Sequence, residues 1–212
     1  MKSILRFLHA PIYASRLRVL SDAIVTHLRE GDRVLDVGCG SGMLATSIRS
    51  HSTCPERVHL EGLERVARGN EPIPVTQYDG VRIPFEDDAF DIVIVADVLH
   101  HEEHPDRLLG ECARVSSRGV IVKDHKPEGL LAQQRISFMD WAANAGYDVP
   151  CLFRYNTRAR WHETFASMGL TVLDELTSMS LYPPLVNLVF GRRLQYLALV
   201  SKRDQTAPDD DS

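Results

Sequence analysis

The residues best suited to chemistry lie in one short segment, RVLDVGCGSGMLAT, at positions 33–46. An apolar strand pattern containing an acid, Asp36, runs into Gly38, Gly40 and Gly42, and a helical pattern follows. Glycine tolerates positive φ and has no Cβ, so such a backbone can turn sharply and approach a ligand closely. The helix that follows offers unpaired N–H groups at its N-terminus. This arrangement suits a nucleoside-bearing ligand, and an ordinary tight turn between strand and helix is the alternative.

The spacing of the glycines distinguishes two classes of nucleoside ligand. In the dinucleotide pattern G-x-G-x-x-G, the third glycine packs the helix on the strand. Here the first two glycines fit, but Met43 stands at the third position and the last glycine precedes it. The pattern D-x-G-x-G-x-G resembles the first motif of the class I methyltransferases that use S-adenosylmethionine. The resemblance implies that the loop, with Cys39 inside it, accommodates the methionine part of the cofactor, and that Asp36 helps to hold its ammonium group.

Acids that follow the second and third strands match further parts of the same family pattern. A strand predicted from Arg57 to Leu63 ends at Glu64, where a carboxylate suits a pair of ribose hydroxyls, both of which are donors. A solvated helix cap is the alternative for Glu64. The resemblance implies that Asp79, after the third strand, accepts from the adenine amino group, with Gly80 beside it.

A fourth strand is predicted over the unbroken apolar run Ile92–Ala96, which is typical of a parallel strand buried on both faces. Open α/β sheets bind their ligands beyond the carboxyl ends of such strands. Asp97 and Val98 stand at that end of the strand. The resemblance assigns both to the cofactor pocket, near its methionine end.

Two histidines are the candidates for a catalytic base. His100 follows the fourth strand and His125 follows the fifth, at the same edge of the sheet, and histidine titrates near neutrality. A base is needed only where the methyl acceptor is a protonated oxygen, a protonated nitrogen or an acidic carbon. Either histidine can instead be structural and cap a strand or a helix.

The run His100–His104 has the form H-x-x-E-H, a signature of some zinc proteases. The ligands of that signature must lie on one helix, whereas Pro105 disfavours helical geometry at the residue before it. No third ligand cluster accompanies the run. The sequence therefore predicts no metal site.

The motifs span residues 33–124, somewhat under half of the chain. Together they resemble the ubiquinone and menaquinone branch of the class I methyltransferases, which includes many small-molecule enzymes. The resemblance implies an α/β fold, a three-layer sandwich with a doubly wound, mostly parallel seven-stranded sheet and an antiparallel last strand. This is the Rossmann-like methyltransferase fold. One departure is the segment from Arg65 to Glu71, which is short for a crossover helix.

The length of 212 residues and an ordinary globular composition favour one domain over residues 1–203. Within it we expect an N-terminal helical cover at residues 1–30, formed by two short helices split at Pro11, and a helical insert or lid at residues 127–156. A transit peptide or a membrane-surface helix is the alternative for the N-terminal segment. The acidic tail, residues 204–212, is expected to be disordered.

Charge and cysteine content limit the binding partners and the cellular compartment that the sequence predicts. A formal net charge of −5 leaves no basic footprint for a nucleic acid, and no apolar run is long enough to predict a membrane span. The four cysteines form no C-x-x-C pair. They are interpreted as the reduced thiols of a cytoplasmic protein.

The insert and the C-terminal region are expected to select the methyl acceptor. The aromatic and apolar side chains of the insert include Phe138, Met139, Trp141, Tyr147, Phe153 and Tyr155. A second apolar segment covers residues 181–190. We expect a lid over a hydrophobic small-molecule or lipid-like acceptor, with Arg192 and Arg193 near its mouth. Packing on the sheet, or a contact within a homodimer, is the alternative.

Three classes of function remain open on these grounds. The motifs favour an active S-adenosylmethionine-dependent methyltransferase. A regulatory module that binds the cofactor without catalysis is the second class. A dinucleotide-dependent oxidoreductase is the third, and it is disfavoured by Met43 and by the lack of a second nucleotide-binding half.

Overall fold

The structure is a computed structural model that describes residues 2–144, 152–191 and 193–202, with side chains described for 11–141 and for the two later ranges. Its strands are β1 Arg33–Val37, β2 His59–Glu64, β3 Val75–Gln77, β4 Phe90–Ala96, β5 Ser116–His125, β6 Leu170–Leu176 and β7 Gln195–Lys202. Its α-helices are α1 Lys2–Val25, α2 Met43–Arg49, α3 Pro105–Val115, α4 Ala132–Asn144, α5 Arg158–Ser167 and α6 Pro184–Phe190. A single 3₁₀ turn, Leu99–His101, lies between β4 and α3.

The seven strands form one sheet in the order β3-β2-β1-β4-β5-β7-β6. Strands β1 to β5 pair in parallel, whereas β7 is antiparallel to both β5 and β6. The predicted α/β fold, with its mostly parallel sheet and antiparallel last strand, is confirmed. The chain changes direction across the sheet between β1 and β4, so the crevice for a ligand is expected at the carboxyl ends of these two strands.

Helices cover both faces of the sheet because its central strands are apolar on both faces. In β4, Val93 and Val95 enter one core, while Ile92 and Ile94 enter the other. This alternation follows from the period of two in a strand. Helices α3 and α5 pack on the first core, and α1 and α2 pack on the second. The result is the expected three-layer sandwich.

The N-terminal segment corrects one prediction. The sequence predicts two short helices split at Pro11, but α1 is one helix with Pro11 inside it. A proline removes one backbone hydrogen bond and often bends a helix without ending it. The C-terminal half of α1 is anchored by Leu20 and Ile24, which are fully buried against α2 and the sheet. This packing stabilises the part of the helix that follows the hydrogen bond lost at Pro11.

Strand β5 extends through His125, whereas the sequence predicts that His125 follows the fifth strand. Its antiparallel partner β7 continues to pair with it through Asp124 and His125. The extension therefore holds Lys123, Asp124 and His125 in strand geometry at the carboxyl edge of the sheet. As the short Arg65–Glu71 segment suggests, no helix is found between β2 and β3 in residues 65–74.

Some expectations concern residues outside the described ranges. The acidic tail, Tyr147 and Arg192 all lie there. Within the described ranges, no helix combines the length and the apolarity needed to cross a bilayer.

Candidate cofactor and active site

The glycine bend joins β1 to α2 at the carboxyl edge of the sheet. Gly38, Gly40 and Gly42 have φ of 69°, 55° and 71°, a region that strains other residues. The Gly38 N–H donates to the carbonyl of Leu63 at 2.8 Å, which ties the bend to β2. A Cβ at Gly38 would lie 2.5 Å from Cγ2 of Val98, so the bend also packs tightly on the segment after β4.

Gly38→Ala should lower the free energy of unfolding by about 2–4 kcal/mol, because the new methyl group adds an overlap with Val98 to a left-handed backbone. Gly31→Ala is the matched control, since Gly31 has φ of 78° and open space at its Cβ position. That change should remove only about 1–2 kcal/mol, the strain of the backbone alone. Urea unfolding measures both variants, and equal losses would contradict the close packing of the bend on Val98.

Asp36 lies in β1 and is only 2% exposed. Its Oδ2 atom has no hydrogen-bond partner among the described residues. Burial raises the pKa of Asp36 to about 7; the nearby Arg16 guanidinium opposes this shift, and the Glu64 carboxylate adds to it. An unpartnered buried carboxylate is costly, and a cationic donor relieves that cost. Asp36 is therefore suited to accept a hydrogen bond from a cationic group placed at the bend.

Glu64 ends β2 directly beside the bend. Its Oε2 accepts from the Gly40 N–H at 2.9 Å, and its Oε1 accepts from the Arg65 N–H at 2.8 Å. No helix follows β2, so the helix-cap alternative for Glu64 is excluded. The Glu64 carboxylate thus lies at the glycine bend and stabilises it through the hydrogen bond from Gly40.

Asp79 and Gly80 lie in the loop after β3, at the outer end of the same edge. Asp79 Oδ1 accepts from the N–H groups of Val81 and Arg82 at 2.7 and 3.1 Å, and these bonds lower the pKa of Asp79. The Asp79 side chain is exposed, whereas Gly80 is buried with φ of 79°. A Cβ at Gly80 would overlap the Arg65 guanidinium. Asp79 therefore shapes its own turn and presents a carboxylate to solvent.

A partly buried ion-pair cluster lies at the carboxyl end of β4. Asp97 accepts from Arg16 Nη2 at 2.6 Å and from Lys123 Nζ at 2.5 Å. Although burial works in the opposite direction, these two cations hold the pKa of Asp97 well below its usual range. Burial lowers the pKa of Lys123, whose side chain is fully enclosed. One carboxylate thereby joins α1, β5 and the end of β4.

Arg16 and Lys123 belong to this site although the sequence argument does not single them out. For Lys123 a signal exists, because a lysine that directly follows the apolar run Val120–Val122 in a buried strand needs an anionic partner. For Arg16 the only signal is its place in an N-terminal segment without acids, which identifies no partner.

His100 is buried between two carboxylates. Its Nδ1 lies 2.6 Å from Asp124 Oδ1, and its Nε2 lies 3.7 Å from Asp140 Oδ1. Burial disfavours the protonated ring, but the two carboxylates outweigh it and raise the pKa of His100 to about 10. A ring that already carries its proton donates to Asp124 and does not accept a proton near neutral pH. This environment does not support the predicted role of His100 as a base.

His125, the second candidate, lies in different surroundings. Its Nδ1 has no partner among the described residues, and its Nε2 lies 3.7 Å from Asp97 Oδ1. Burial and the nearby Lys123 ammonium lower the pKa of His125 to about 4. The ring is neutral and keeps one nitrogen able to accept a proton, so His125 is the better placed of the two histidines.

The insert reaches this edge of the sheet through Asp140, in α4, and Tyr155. The Tyr155 hydroxyl donates to Asp140 Oδ2 at 2.8 Å, and its ring centroid lies 5.4 Å from that of His100 and 6.0 Å from that of His125. Sequence reasoning does not find Asp140, because nothing in the local pattern of α4 distinguishes it from a solvated acid. Only the packing of α4 at the sheet edge brings it to the histidines.

Helices α4 and α6 carry apolar side chains that remain exposed. Phe138 of α4 stacks on Phe190 of α6 with ring centroids 6.1 Å apart, which joins the two helices. The large exposed apolar residues of this surface, which we call the apolar face, are Leu130, Leu131, Phe138, Trp141, Leu185, Leu188 and Val189. Arg193, just after α6, is also exposed. An apolar surface of this extent is typical of a binding site or an interface.

Cys39 lies inside the bend but is not activated. Burial, with the nearby carboxylates of Asp36 and Glu64, raises the pKa of the Cys39 thiol to about 12. The thiol is therefore protonated and is not a nucleophile. Cys54 and Cys112, the other cysteines of the described ranges, are free as well.

The H-x-x-E-H run does not lie on one helix. His100 and His101 belong to the 3₁₀ turn, whereas His104 precedes α3 and is exposed. The single helix that the zinc-protease signature requires is therefore not formed.

Comparison with known proteins agrees with the fold and the motifs. Residues 35–122 match the family named Methyltransferase domain. The ubiquinone/menaquinone biosynthesis C-methyltransferase UbiE of Cupriavidus metallidurans is 36% identical over 102 residues, which cover 44% of this chain and 42% of the relative. A phosphatidylethanolamine N-methyltransferase of Cereibacter sphaeroides is 29% identical over 158 residues, which cover 66% of this chain and 68% of the relative.

The fold is also that of a solved methyltransferase. The 1,6-didemethyltoxoflavin-N1-methyltransferase of Burkholderia thailandensis, with bound S-adenosylhomocysteine, superposes with a TM-score of 0.63 at 15% identity, covering 89% of this chain and 79% of that one. Together these findings show that residues 35–122 match a methyltransferase domain and that the chain has the fold of a solved methyltransferase. The chain is similar to UbiE C-methyltransferases of two Cupriavidus species. It spans about two fifths of the length of the C-methyltransferases that it matches.

Proposed function

We propose that this protein transfers a methyl group from S-adenosylmethionine to a small, hydrophobic, lipid-like acceptor. The observation that carries the proposal is Asp36, a buried carboxylate with an unpartnered oxygen beside a glycine bend. The apolar face of α4 and α6 supports the acceptor part, because it exposes large apolar side chains on the insert that also contributes Asp140 and Tyr155 to the site.

The charges of the site fit this cofactor. Asp36 would accept from the methionine ammonium group, beside the main chain of the Gly38–Gly42 bend. Glu64 would accept from the ribose hydroxyls, and Asp79, whose side chain is exposed in the loop after β3, would accept from the adenine amino group. Asp97, held by its two cations, would keep the segment after β4 against the bend.

S-adenosylmethionine supplies a methyl group on a sulfonium, which departs as a good neutral leaving group. The work of the protein is then to align the acceptor and to exclude water, and orientation of this kind can supply about 7–11 kcal/mol. Helices α4 and α6 would exclude water from the acceptor. Where the acceptor is a protonated oxygen or nitrogen, His125 Nδ1 would take its proton, a contribution of roughly 10²- to 10⁴-fold.

Parallel calorimetric titrations with S-adenosylhomocysteine and with NAD test the cofactor part. Saturable heat is expected with the first ligand alone, and the reverse result would favour a dinucleotide-dependent oxidoreductase. Activity is tested by transfer of label from methyl-labelled S-adenosylmethionine into prenylated quinols and into vesicles that contain phosphatidylethanolamine. Binding without transfer to either class would favour the regulatory module.

Trp141→Ala should raise the KM for the hydrophobic acceptor about 5- to 30-fold, because an aromatic side chain contributes on the order of 1–2 kcal/mol of apolar contact. Affinity for S-adenosylhomocysteine should be unchanged, since Trp141 lies on the insert and not at the bend. Leu173→Ala is the control. Leu173, on β6, is 57% exposed and Trp141 is 56% exposed, but Leu173 lies outside the apolar face. An unchanged acceptor KM in Trp141→Ala would rule out the apolar face as the acceptor surface.

Other expectations about partners and location stay predictions. A homodimer would be the alternative use of the apolar face, and sedimentation of the wild-type protein and of the Trp141→Ala variant distinguishes a dimer from a monomer. The expected cytoplasmic location and the expected lack of a nucleic-acid partner rest on charge and cysteine content alone.

A further inference from the structure

We propose that His100, His101 and Asp140 form a site for one divalent transition metal ion, of the kind represented by Zn²⁺. Their ligand atoms all lie within 4.8 Å of one another, although the histidines come from the turn after β4 and the acid comes from α4. Two imidazoles and one carboxylate are a donor set that zinc and other first-row metals favour. The proposal departs from the sequence-based expectation of no metal site, and it does not depend on the proposed function.

The distances are close to those of a coordinated ion. Asp140 Oδ1 lies 3.7 Å from His100 Nε2 and 3.6 Å from His101 Nε2. Ligands of tetrahedral zinc, at bond lengths of about 2.0–2.1 Å, lie about 3.4 Å from one another. The two Asp140–histidine distances therefore need to contract by only a few tenths of an ångström, and the ligand atoms of the two histidines lie within 4.8 Å of each other.

A further residue orients each of the two most buried ligands. Asp124 Oδ1 lies 2.6 Å from His100 Nδ1, which directs Nε2 of the same ring toward Asp140. The Tyr155 hydroxyl donates to Asp140 Oδ2, so that Oδ1 is the oxygen on the side of the histidines. Carboxylate–histidine–metal arrangements with hydrogen-bonded carboxylate ligands are typical of metal sites.

The charges of the neighbourhood favour a cation at this place. The nearby arginine and lysine both pair with Asp97, whereas Asp124 and Asp140 face the histidines. Asp124 Oδ2 is buried without a partner among the described residues. Two buried carboxylates require positive charge close by, and either a proton on His100 or a bound metal ion supplies it.

A metal ion here would tie the insert to the sheet, since its ligands belong to α4 and to the turn after β4. The side chains of His100 and Asp140 are each 2% exposed and that of His101 is 16% exposed, so the cluster opens on the His101 side. Three protein ligands leave a coordination position for water.

The test uses the full chain, stripped with a chelator and then titrated with Co²⁺ as the spectroscopic probe. We expect one Co²⁺ per chain, with the intense visible absorption of a four- or five-coordinate site, displacement by Zn²⁺, and a Tm raised by either metal. Cobalt that absorbs as the aqueous ion, with no stoichiometric binding, would overturn the proposal. These measurements need no variant and are independent of cofactor binding.

Variants then locate the site. Asp140→Asn and His101→Gln should each weaken Co²⁺ binding at least 100-fold, and Tyr155→Phe, which leaves all three ligands in place, should weaken it about tenfold. His104→Ala is the matched control, because His104 belongs to the same H-x-x-E-H run but lies outside the cluster and is exposed. Wild-type affinity in Asp140→Asn, or lost affinity in His104→Ala, would contradict the assignment. If a ligand variant does not fold, Tyr155→Phe and the wild-type spectrum decide the question.

Discussion

Asp36→Asn should weaken the affinity for S-adenosylhomocysteine about 10- to 100-fold and, at the same time, stabilise the protein without its cofactor. A hydrogen bond to a charged group contributes about 1.5–3 kcal/mol, and asparagine lacks the charge. Without the cofactor, however, Asp36 is a buried carboxylate with an unpartnered oxygen. Because the amide has no charge to bury, the free energy of unfolding at pH 8 should rise by about 1–3 kcal/mol.

The pH dependence of stability follows from the same carboxyl group. Its pKa in the folded protein is about 7, above the usual value of 3.8, so between these values the folded state holds a proton that the unfolded chain has lost. The free energy of unfolding should therefore fall as the pH rises from about 4 to about 7, and level off above that range. The charged groups that face Asp36 are Arg16, which opposes the shift, and Glu64, which adds to it. Asp36→Asn should remove this slope.

Ligand binding should depend on pH in the opposite direction. The ammonium group of S-adenosylhomocysteine meets a carboxylate only when Asp36 is ionised, so its Kd should rise about tenfold for each pH unit below 7. Calorimetry at pH 6, 7 and 8 measures this slope, which Asp36→Asn should abolish. Glu86→Gln, at an exposed carboxyl group, is the control and should leave both pH profiles unchanged. Wild-type affinity in Asp36→Asn would show that another group holds the ammonium.

Asp97→Asn should lower the free energy of unfolding by about 3–5 kcal/mol, because it leaves the fully buried Lys123 and the partly buried Arg16 without their carboxylate. Arg16 and Lys123 both pair with Asp97, and the Lys123 side chain has no exposed surface. The backbone does not account for the loss: Asp97 has φ of 57°, and asparagine tolerates the left-handed region. Urea unfolding of the cofactor-free protein measures the effect.

A matched pair of variants separates the effect of burial on stability from the effects of the lost charge and of the left-handed backbone. Asp88 also has a left-handed φ, of 56°, and also pairs with a lysine, Lys202, but this pair is exposed. Asp88→Asn should change the free energy of unfolding by no more than about 1 kcal/mol. Lys123→Met added to Asp97→Asn should recover part of the loss, because it removes the buried charge. Equal losses in Asp97→Asn and Asp88→Asn would contradict the stabilising role of the partly buried cluster.

Parts of the site with local causes could be predicted from the sequence. The bend at Gly38–Gly42 follows from residues that tolerate positive φ directly after an apolar strand, and the structure has all three glycines in that region. The strand pattern predicts Glu64 at the end of β2, and Glu64 lies there beside the bend. The buried character of β4 followed in the same way from its apolar run.

The pairing and protonation of the polar side chains could not be predicted in this way. The family resemblance predicts Asp97 in the pocket, but its partner Arg16 lies 81 positions away in the chain. His100 and His125 look equivalent in the sequence, each near the end of one of two neighbouring strands, yet His100 lies between two carboxylates while His125 lies near the Lys123 ammonium. One of these carboxylates, Asp140, comes from the insert, whose position over the sheet no local pattern specifies.

The sequence by itself determined the α/β class, the glycine bend and the acids at the ends of the first two strands, because backbone preference and strand patterning depend on neighbours along the chain. Only the tertiary structure decided which histidine is neutral, which cations surround Asp97, and that α1 continues through Pro11. These properties depend on burial and on charges gathered from distant positions. Electrostatic energies inside a protein are set by distance in space and by desolvation, and neither can be read from the order of the residues.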